Sequence, residues 1–270
     1  MKLTPNCKIN IGLSVVRRRQ DGYHDIETIF YPVYGFHDEL EIEKADVFSF
    51  DQSGLAVDCS PEKNLIVRCY YLMANRYAQV QPVAIRFRKN IPFGAGLGGG
   101  SSDAAHTAIA LNELFELGLS KPQLAQIVSE LGADCAFFIY NVPCFATGMG
   151  EQLTPIDMNL TGKRLILIKP DVYVSTKDAY ANIVPREERG IDTHNDRYIN
   201  DFEETVFKLH PELQKIKQRL LDCGAEYAAM SGSGSTIFGL FDNDTESSST
   251  PQLRALHEEF ASMIVFDNTL

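Results

Sequence analysis

The chain has 270 residues, 44% of them hydrophobic, enough to fill one large or two modest cores. Its 36 acidic residues outnumber 25 basic ones for a net charge of −11, and its longest basic run is Arg17-Arg18-Arg19, which argues against an extended nucleic-acid surface. Six cysteines without Cys-x-x-Cys or Cys/His ligand spacing read as reduced core residues, and no leader or membrane-length apolar run stands out, so a cytoplasmic protein with no nucleic-acid or membrane partner is expected.

Residues 8–16 alternate, with Ile9, Ile11, Leu13 and Val15 on one face and Lys8, Asn10 and Gly12 on the other, the pattern of a half-buried strand. Arg17 to Gly22 form a polar turn, Ile26 to Tyr34 a second strand, and Leu40 and Ile42, alternating with acids, a third. Ser60-Pro61 predicts a helix start with proline at its first position, and Leu65, Cys69, Leu72 and Met73 continue it. A strand over Val83 to Phe87 leads into Ile91-Pro92-Phe93-Gly94-Ala95-Gly96-Leu97-Gly98-Gly99-Gly100-Ser101-Ser102-Asp103-Ala104-Ala105. Beyond it Ala104, Ala108, Leu111 and Phe115 form one helical stripe. Ser120-Lys121-Pro122-Gln123 is a capping box for the next helix, whose Leu124, Ile127, Val128 and Leu131 face inward.

Residues 133–149 are apolar around a turn at Asn141 to Pro143, and Thr154 to Gly162 is the best linker candidate. A strand at Leu165 to Ile168, a helix over Glu212 to Leu221 ended by Gly224, and a strand at Ile237 to Phe241 follow. Asp242 to Thr250, acidic and serine-rich, reads as a mobile loop; a short helix and a strand at Met263 to Phe266 finish the chain. Helices and antiparallel-looking strands without a βαβ rhythm or an internal repeat predict an α+β protein.

The chemistry centres on the glycine loop. Glycines in close succession let a backbone approach a ligand closely, and a helix N-terminus directly after them offers unpaired N–H groups to an anion, usually phosphate. Gly94, Gly96 and Gly99 fit Gly-x-Gly-x-x-Gly, yet the acidic residue a dinucleotide fold needs about 20 residues on would fall inside a helix. A Walker A loop needs a lysine that Gly100-Ser101-Ser102 lacks. Met230-Ser231-Gly232-Ser233-Gly234-Ser235-Thr236 is a second small-residue loop, by itself a plain turn, beside the first a plausible second phosphate clamp.

Asp134 lies between Gly132-Ala133 and the apolar run Cys135-Ala136-Phe137-Phe138, where burial is expected and a cation such as Lys8 would compensate it; a helix cap or structural ion pair is the plainer reading. Lys8 and Asn10 share a strand face that could simply be solvated. Asp21-Gly22-Tyr23-His24 is a turn whose Tyr-His pair can stack on a flat base, or a surface turn with a pendant histidine. The remaining histidines have no partner spacing.

Together Lys8-Ile9-Asn10, Asp21-Gly22-Tyr23-His24, the Pro92 to Ala105 loop, Gly132-Ala133-Asp134 and Ser231 to Thr236 resemble the motif regions of the GHMP kinase superfamily, nearly end to end. The resemblance implies a ribosomal-protein-S5-domain-2-like N-terminal domain, residues 1–156, and a ferredoxin-like C-terminal domain, residues 157–270, with the active site between them. It implies an ATP-dependent kinase whose acceptor is a cytidine diphosphate-linked polyol, working as a monomer or homodimer with Mg²⁺ on the phosphates. ATP would contact Asn64, Pro92, Gly94, Ala95, Gly96, Leu97, Gly98, Gly99, Gly100, Ser101, Ser102, Gly232 and Ser233, with Ser102 as the metal contact. The acceptor would contact Asn10, Tyr23, His24, Phe30, Thr176 and Tyr180, while Asp134 aligns or deprotonates its hydroxyl and Lys8 orients Asp134. Cys135-Ala136 and Phe93 depart from the usual family pattern, as does Tyr180 where phenylalanine is expected; none removes a chemical group.

Overall fold

The computed structural model describes residues 1–57, 59–181, 183–185, 198–242 and 250–270. Its first part runs β1 (Lys2–Leu3), β2 (Asn6–Arg18), β3 (His24–His37), β4 (Glu39–Lys44), β5 (Ser49–Gly54), α1 (Leu65–Arg76), β6 (Val83–Lys89), α2 (Gly99–Leu114), α3 (Lys121–Val128), α4 (Cys135–Tyr140), β7 (Cys144–Thr147) and β8 (Gln152–Pro155). The second runs β9 (Arg164–Ile168), α5 (Thr176–Ala181), α6 (Phe202–Leu209), α7 (Pro211–Asp222), β10 (Tyr227–Met230), β11 (Ile237–Phe241), α8 (Pro251–Glu259) and β12 (Ile264–Thr269). Residues 243–249, most of the stretch read as a mobile loop, and His194 lie outside the described residues.

The strands form three sheets, ordered β1-β4-β6-β5, β2-β3-β7-β8 and β10-β11-β9-β12. All pairings are antiparallel except β5 with β6. The third sheet has the strand order and intervening helices of a ferredoxin-like βαββαβ unit, as expected. Helices α1 to α4 cover the first sheet, closing a core that includes Ile42, Ile85, Met73, Leu111 and Phe137.

The β2–β3 hairpin is shared property. Leu13, Val15 and Ile26 pack with Ile166, Ile168, Phe202 and Leu220 of the second part. Ile9, Ile11 and Ile29 pack with Leu165, Leu167 and Phe238. The expectation that β2 is half-buried is therefore corrected: Lys8 and Asn10 are 3% and 2% exposed, because the face away from one core meets loops of both parts of the chain rather than water.

A second correction concerns the first helix. Pro61 opens only a single 3₁₀ turn, Pro61–Lys63, and α1 starts at Leu65. Asn64 is the residue that caps it, accepting a hydrogen bond from the Ile66 N–H at 2.9 Å. The capping pair before α3 is as read, with the Ser120 N–H donating to Gln123 Oε1 at 2.9 Å. Strands β1 and β5 and helices α5 and α6 were not legible: the first is two residues long, and Ser49–Gly54 is too polar to alternate.

Candidate active site

The glycine loop bridges the end of β6 and the start of α2. Gly94, Gly96 and Gly98 all have positive φ, and Gly98, at 69°, sits at the N-cap of α2. A side chain at Gly96 would meet the Ser231 carbonyl oxygen at 2.1 Å, so glycine is the residue that lets the two small-residue loops touch. Ser231 Oγ donates to the Gly96 carbonyl at 2.9 Å, and the Thr236 N–H reaches the Ala95 carbonyl at 3.3 Å. The first-turn N–H groups of α2 have no acceptors within the helix, the condition for an anion site.

Lys8 lies beneath this junction. Its ammonium donates to Asn10 Oδ1 and, at 3.1 Å, to the Gly96 carbonyl, and stands 3.5 Å from Asp134 Oδ2. It also lies 5.1 Å from the centre of the Phe30 ring. Burial pulls the Lys8 ammonium below the ordinary lysine range, and Asp134 opposes that shift. Asn10 is fixed by its own donation to Thr28 Oγ1 at 2.9 Å.

Asp134 precedes α4, but its side chain caps no backbone N–H of that helix. The expected burial is also reversed: Asp134's side chain is 34% exposed, facing the cleft, and the buried member of the pair is Lys8. Gly150 lies beside the Asp134 carboxylate: a Cβ there would stand 3.7 Å from Oδ1, an ordinary contact.

These groups open into a cleft of about 1120 Å³. Lys8, Asn10, Tyr23, His24, Phe30, Gly94, Gly96, Gly98, Asp134, Thr176, Tyr180, Gly232 and Ser233 all line it. Thr176 Oγ1 and Ser233 Oγ are 3.0 Å apart. His24 stacks on Tyr180 with ring centres 4.9 Å apart and 16° between planes, and Tyr180 meets Phe202 edge-on at 4.7 Å. Burial, with Asp134 adding to it, pushes the Tyr180 phenol up to about 12. Tyr23 projects freely, 63% exposed.

Other expected ATP contacts are placed differently. Asn64 does not line the cleft: its carbonyl oxygen caps α1 and its amide donates to Gln52 Oε1 at 3.3 Å. Ala95 and Leu97 point into the core at 2% and 1% exposure, so only their backbones are available to a ligand. Pro92, Gly99, Gly100 and Ser101 belong to the loop and first turn without lining this cleft.

Ser102, the expected metal contact, is fully buried with its hydroxyl 3.3 Å from His106 Nδ1, and is turned away from the cleft. Among the described residues no cluster of three or more His, Cys, Asp or Glu forms a metal cage. With Asp134 as the only carboxylate among the described residues of the cleft wall, the donor set fits a Mg²⁺ carried on nucleotide phosphates and water, not one held by the protein.

Three features escaped sequence reasoning. Asn200 donates to the Met230 and Gly232 carbonyls at 2.7 and 2.8 Å, bracing the second loop from a region without periodicity. Phe202 and Met149 supply apolar wall. Beneath the first turn of α2, buried Lys89 bridges Asp38 at 2.5 Å and Asp103 at 2.8 Å. Burial raises the Asp103 carboxyl well above its usual range. Asp103 next to tandem serines is visible as an acid at a helix start, but Lys89 ends β6 and Asp38 lies between β3 and β4, so no local pattern joins the three.

A fold with one glycine loop at a helix N-terminus, a second small-residue loop against it and a Lys-Asp pair between them defines a class of small-molecule kinase. A family model described as "GHMP kinases N terminal domain" matches residues 64–142, and one described as "GHMP kinases C terminal" matches residues 188–261. The 4-diphosphocytidyl-2-C-methyl-D-erythritol kinase of Parabacteroides distasonis is 47% identical over 250 residues, 89% of this chain and 92% of its own. That of Bacteroides thetaiotaomicron is 47% identical over 88% of this chain and 91% of its own. A crystal structure of a 4-(cytidine 5'-diphospho)-2C-methyl-D-erythritol kinase superposes with a TM-score of 0.80 at 31% identity, covering 98% of this chain and 96% of that one. The chain belongs to the GHMP kinases, ATP-dependent enzymes acting on small molecules, and among them to the 4-diphosphocytidyl-2-C-methyl-D-erythritol kinase family.

Proposed function

We propose that the protein transfers the γ-phosphate of ATP to the 2-hydroxyl of 4-diphosphocytidyl-2-C-methyl-D-erythritol, giving the 2-phosphate and ADP. The step belongs to the methylerythritol phosphate route to isoprenoid precursors, and we place it in the cytoplasm. The observation that supports the reading is that the Lys8–Asp134 pair, with Lys8 on the Gly96 carbonyl, lines one cleft together with the glycine loop and the His24–Tyr180 stack.

In this reading the triphosphate lies over the backbone of Gly94 to Ser102 and against Gly232 and Ser233. Residues 1–156 form the nucleotide domain, and residues 157–270 contribute α5 to the acceptor side. The cytosine is held by His24, Tyr180 and Tyr23. Asp134 accepts a hydrogen bond from the acceptor hydroxyl, aligning it and taking its proton late in transfer. Lys8, anchored by Asn10 and the Gly96 carbonyl, holds that carboxylate in place. Mg²⁺ bound to the phosphates supplies charge neutralisation of the transferring group.

The test is ADP release by purified protein with ATP and Mg²⁺. The cytidylyl acceptor is compared with its form lacking the cytidylyl group and with galactose, homoserine and mevalonate. Turnover with the cytidylyl acceptor alone is expected. Turnover with another acceptor would keep the kinase and overturn the substrate, and ATP binding without turnover on any would point to a non-catalytic nucleotide binder.

A further inference from the structure

The cleft wall carries an imbalance of charge. Lys8 and Asp134 on that wall compensate each other, but Arg18 and Lys177 also line it, and neither has an ion pair or hydrogen bond among the described residues. The flanking arginines differ: Arg17 pairs with Asp25, and Arg19 with Asp21 and Asp25. In a chain of net charge −11, two uncompensated cations on one cleft wall are a local exception that favours an anionic ligand.

Their placement narrows the ligand. Arg18 sits opposite His24 in the β2–β3 register. Lys177 is on α5, three residues before Tyr180 and four before Ala181, and all three line the cleft, as helical spacing requires of one face. Because His24 stacks on Tyr180, the cations flank one ring-binding position from two different elements. Thr176, the residue before Lys177, contacts Ser233, so the stretch of α5 that carries Lys177 runs from the second loop to the Tyr180 ring. An aromatic ring followed at once by negative charge is the chemistry of a nucleoside phosphate.

We infer that Arg18 and Lys177 bind the diphosphate bridge of the acceptor, and that they set the preference for a nucleoside-diphosphate-linked polyol over the same polyol without the bridge. The inference rests on the functional reading above and adds to it the residues that read the anion. Both side chains reach the ligand from the cleft rim, so neutralising them weakens acceptor capture without disturbing the Lys8–Asp134 chemistry.

The experiment uses full-length Lys177→Met, Arg18→Gln, the double variant and the charge-keeping Lys177→Arg. Each neutralisation is expected to raise the acceptor KM about tenfold, as for a charge-assisted contact at a partly exposed site. KM for ATP and kcat should stay within about twofold, and Lys177→Arg should restore most of the loss. Titration calorimetry adds a readout free of turnover: wild type should bind CDP more tightly than cytidine, and the gap should collapse in the double variant. Unchanged acceptor KM, or a rise in KM for ATP instead, overturns the inference while leaving the function standing. Wild-type protein without turnover of the cytidylyl acceptor overturns the function and this inference together.

Discussion

Lys8 keeps a formal charge where water barely reaches, and what permits it is the set of oxygens around it: Asn10 Oδ1, the Gly96 carbonyl and the Asp134 carboxylate. On the proposed function, replacing Asp134 by Asn removes the carboxylate that accepts the hydroxyl proton and that pairs with Lys8. We expect kcat to fall by about 10²–10⁴-fold, the range for lost acid–base catalysis, while the Kd for ATP by calorimetry changes little. Loss of ATP binding together with activity would make Asp134 structural. His24 is the other residue whose charge state matters. Burial, reinforced by Arg18, lowers its imidazole below the ordinary histidine value, so the ring is neutral at pH 7 and gains a proton only as the pH falls past that lowered midpoint. Acceptor KM should therefore be flat above about pH 6.5 and rise in more acidic buffer, with the rise absent in His24→Gln. A rise in wild type that begins above the ordinary histidine range would contradict the shift.

At the scale of elements, the clearest lesson is Asn64. The sequence pattern put a helix start at Pro61, and the family resemblance gave Asn64 to ATP, yet the side chain is engaged as the cap of α1. Asn64→Ala should lower stability to urea by about 1 kcal/mol, the worth of an N-cap. A changed KM for ATP with unchanged stability would show that Asn64 serves the nucleotide rather than the helix. The glycine loop, α2, α7 and β11 were legible because glycine spacing and apolar periodicity are local signals. The Lys8–Asp134 pairing was legible only as a type of charge needing a type of partner. Asn200, and Lys89 between Asp38 and Asp103, were not, since each acts across long sequence separations on groups that share no local pattern. Asp134 is expected to be buried because Ala133 and Cys135 beside it are apolar, whereas its side chain lines the cleft and is partly exposed.

For the whole molecule, two of the three apolar cores draw residues both from β2 and β3 and from the elements β9 onward. A hairpin that belongs to both cores couples the two parts energetically. Unfolding in urea is expected as one transition, with far-UV circular dichroism and tyrosine fluorescence coinciding; the chain has 11 tyrosines and no tryptophan. Separate midpoints for the two probes would show that the parts unfold independently.

The meeting of the two small-residue loops has a consequence for traffic through the cleft. Ser231 and Gly96 are 135 residues apart, and their hydrogen bond, with the Lys8 ammonium beneath it, closes that end like a sewn seam. By contrast, β3 and α5 meet through a ring-on-ring contact between His24 and Tyr180, worth about 0.5–1.5 kcal/mol beyond its buried area. Parting the rings breaks no hydrogen bond between them, whereas opening the seam breaks the Ser231–Gly96 hydrogen bond and leaves the Gly96 carbonyl to the Lys8 ammonium. On the proposed function, the two loops keep their shape between turnovers, while a base that takes its place at the His24–Tyr180 stack does so by parting one aromatic ring from another.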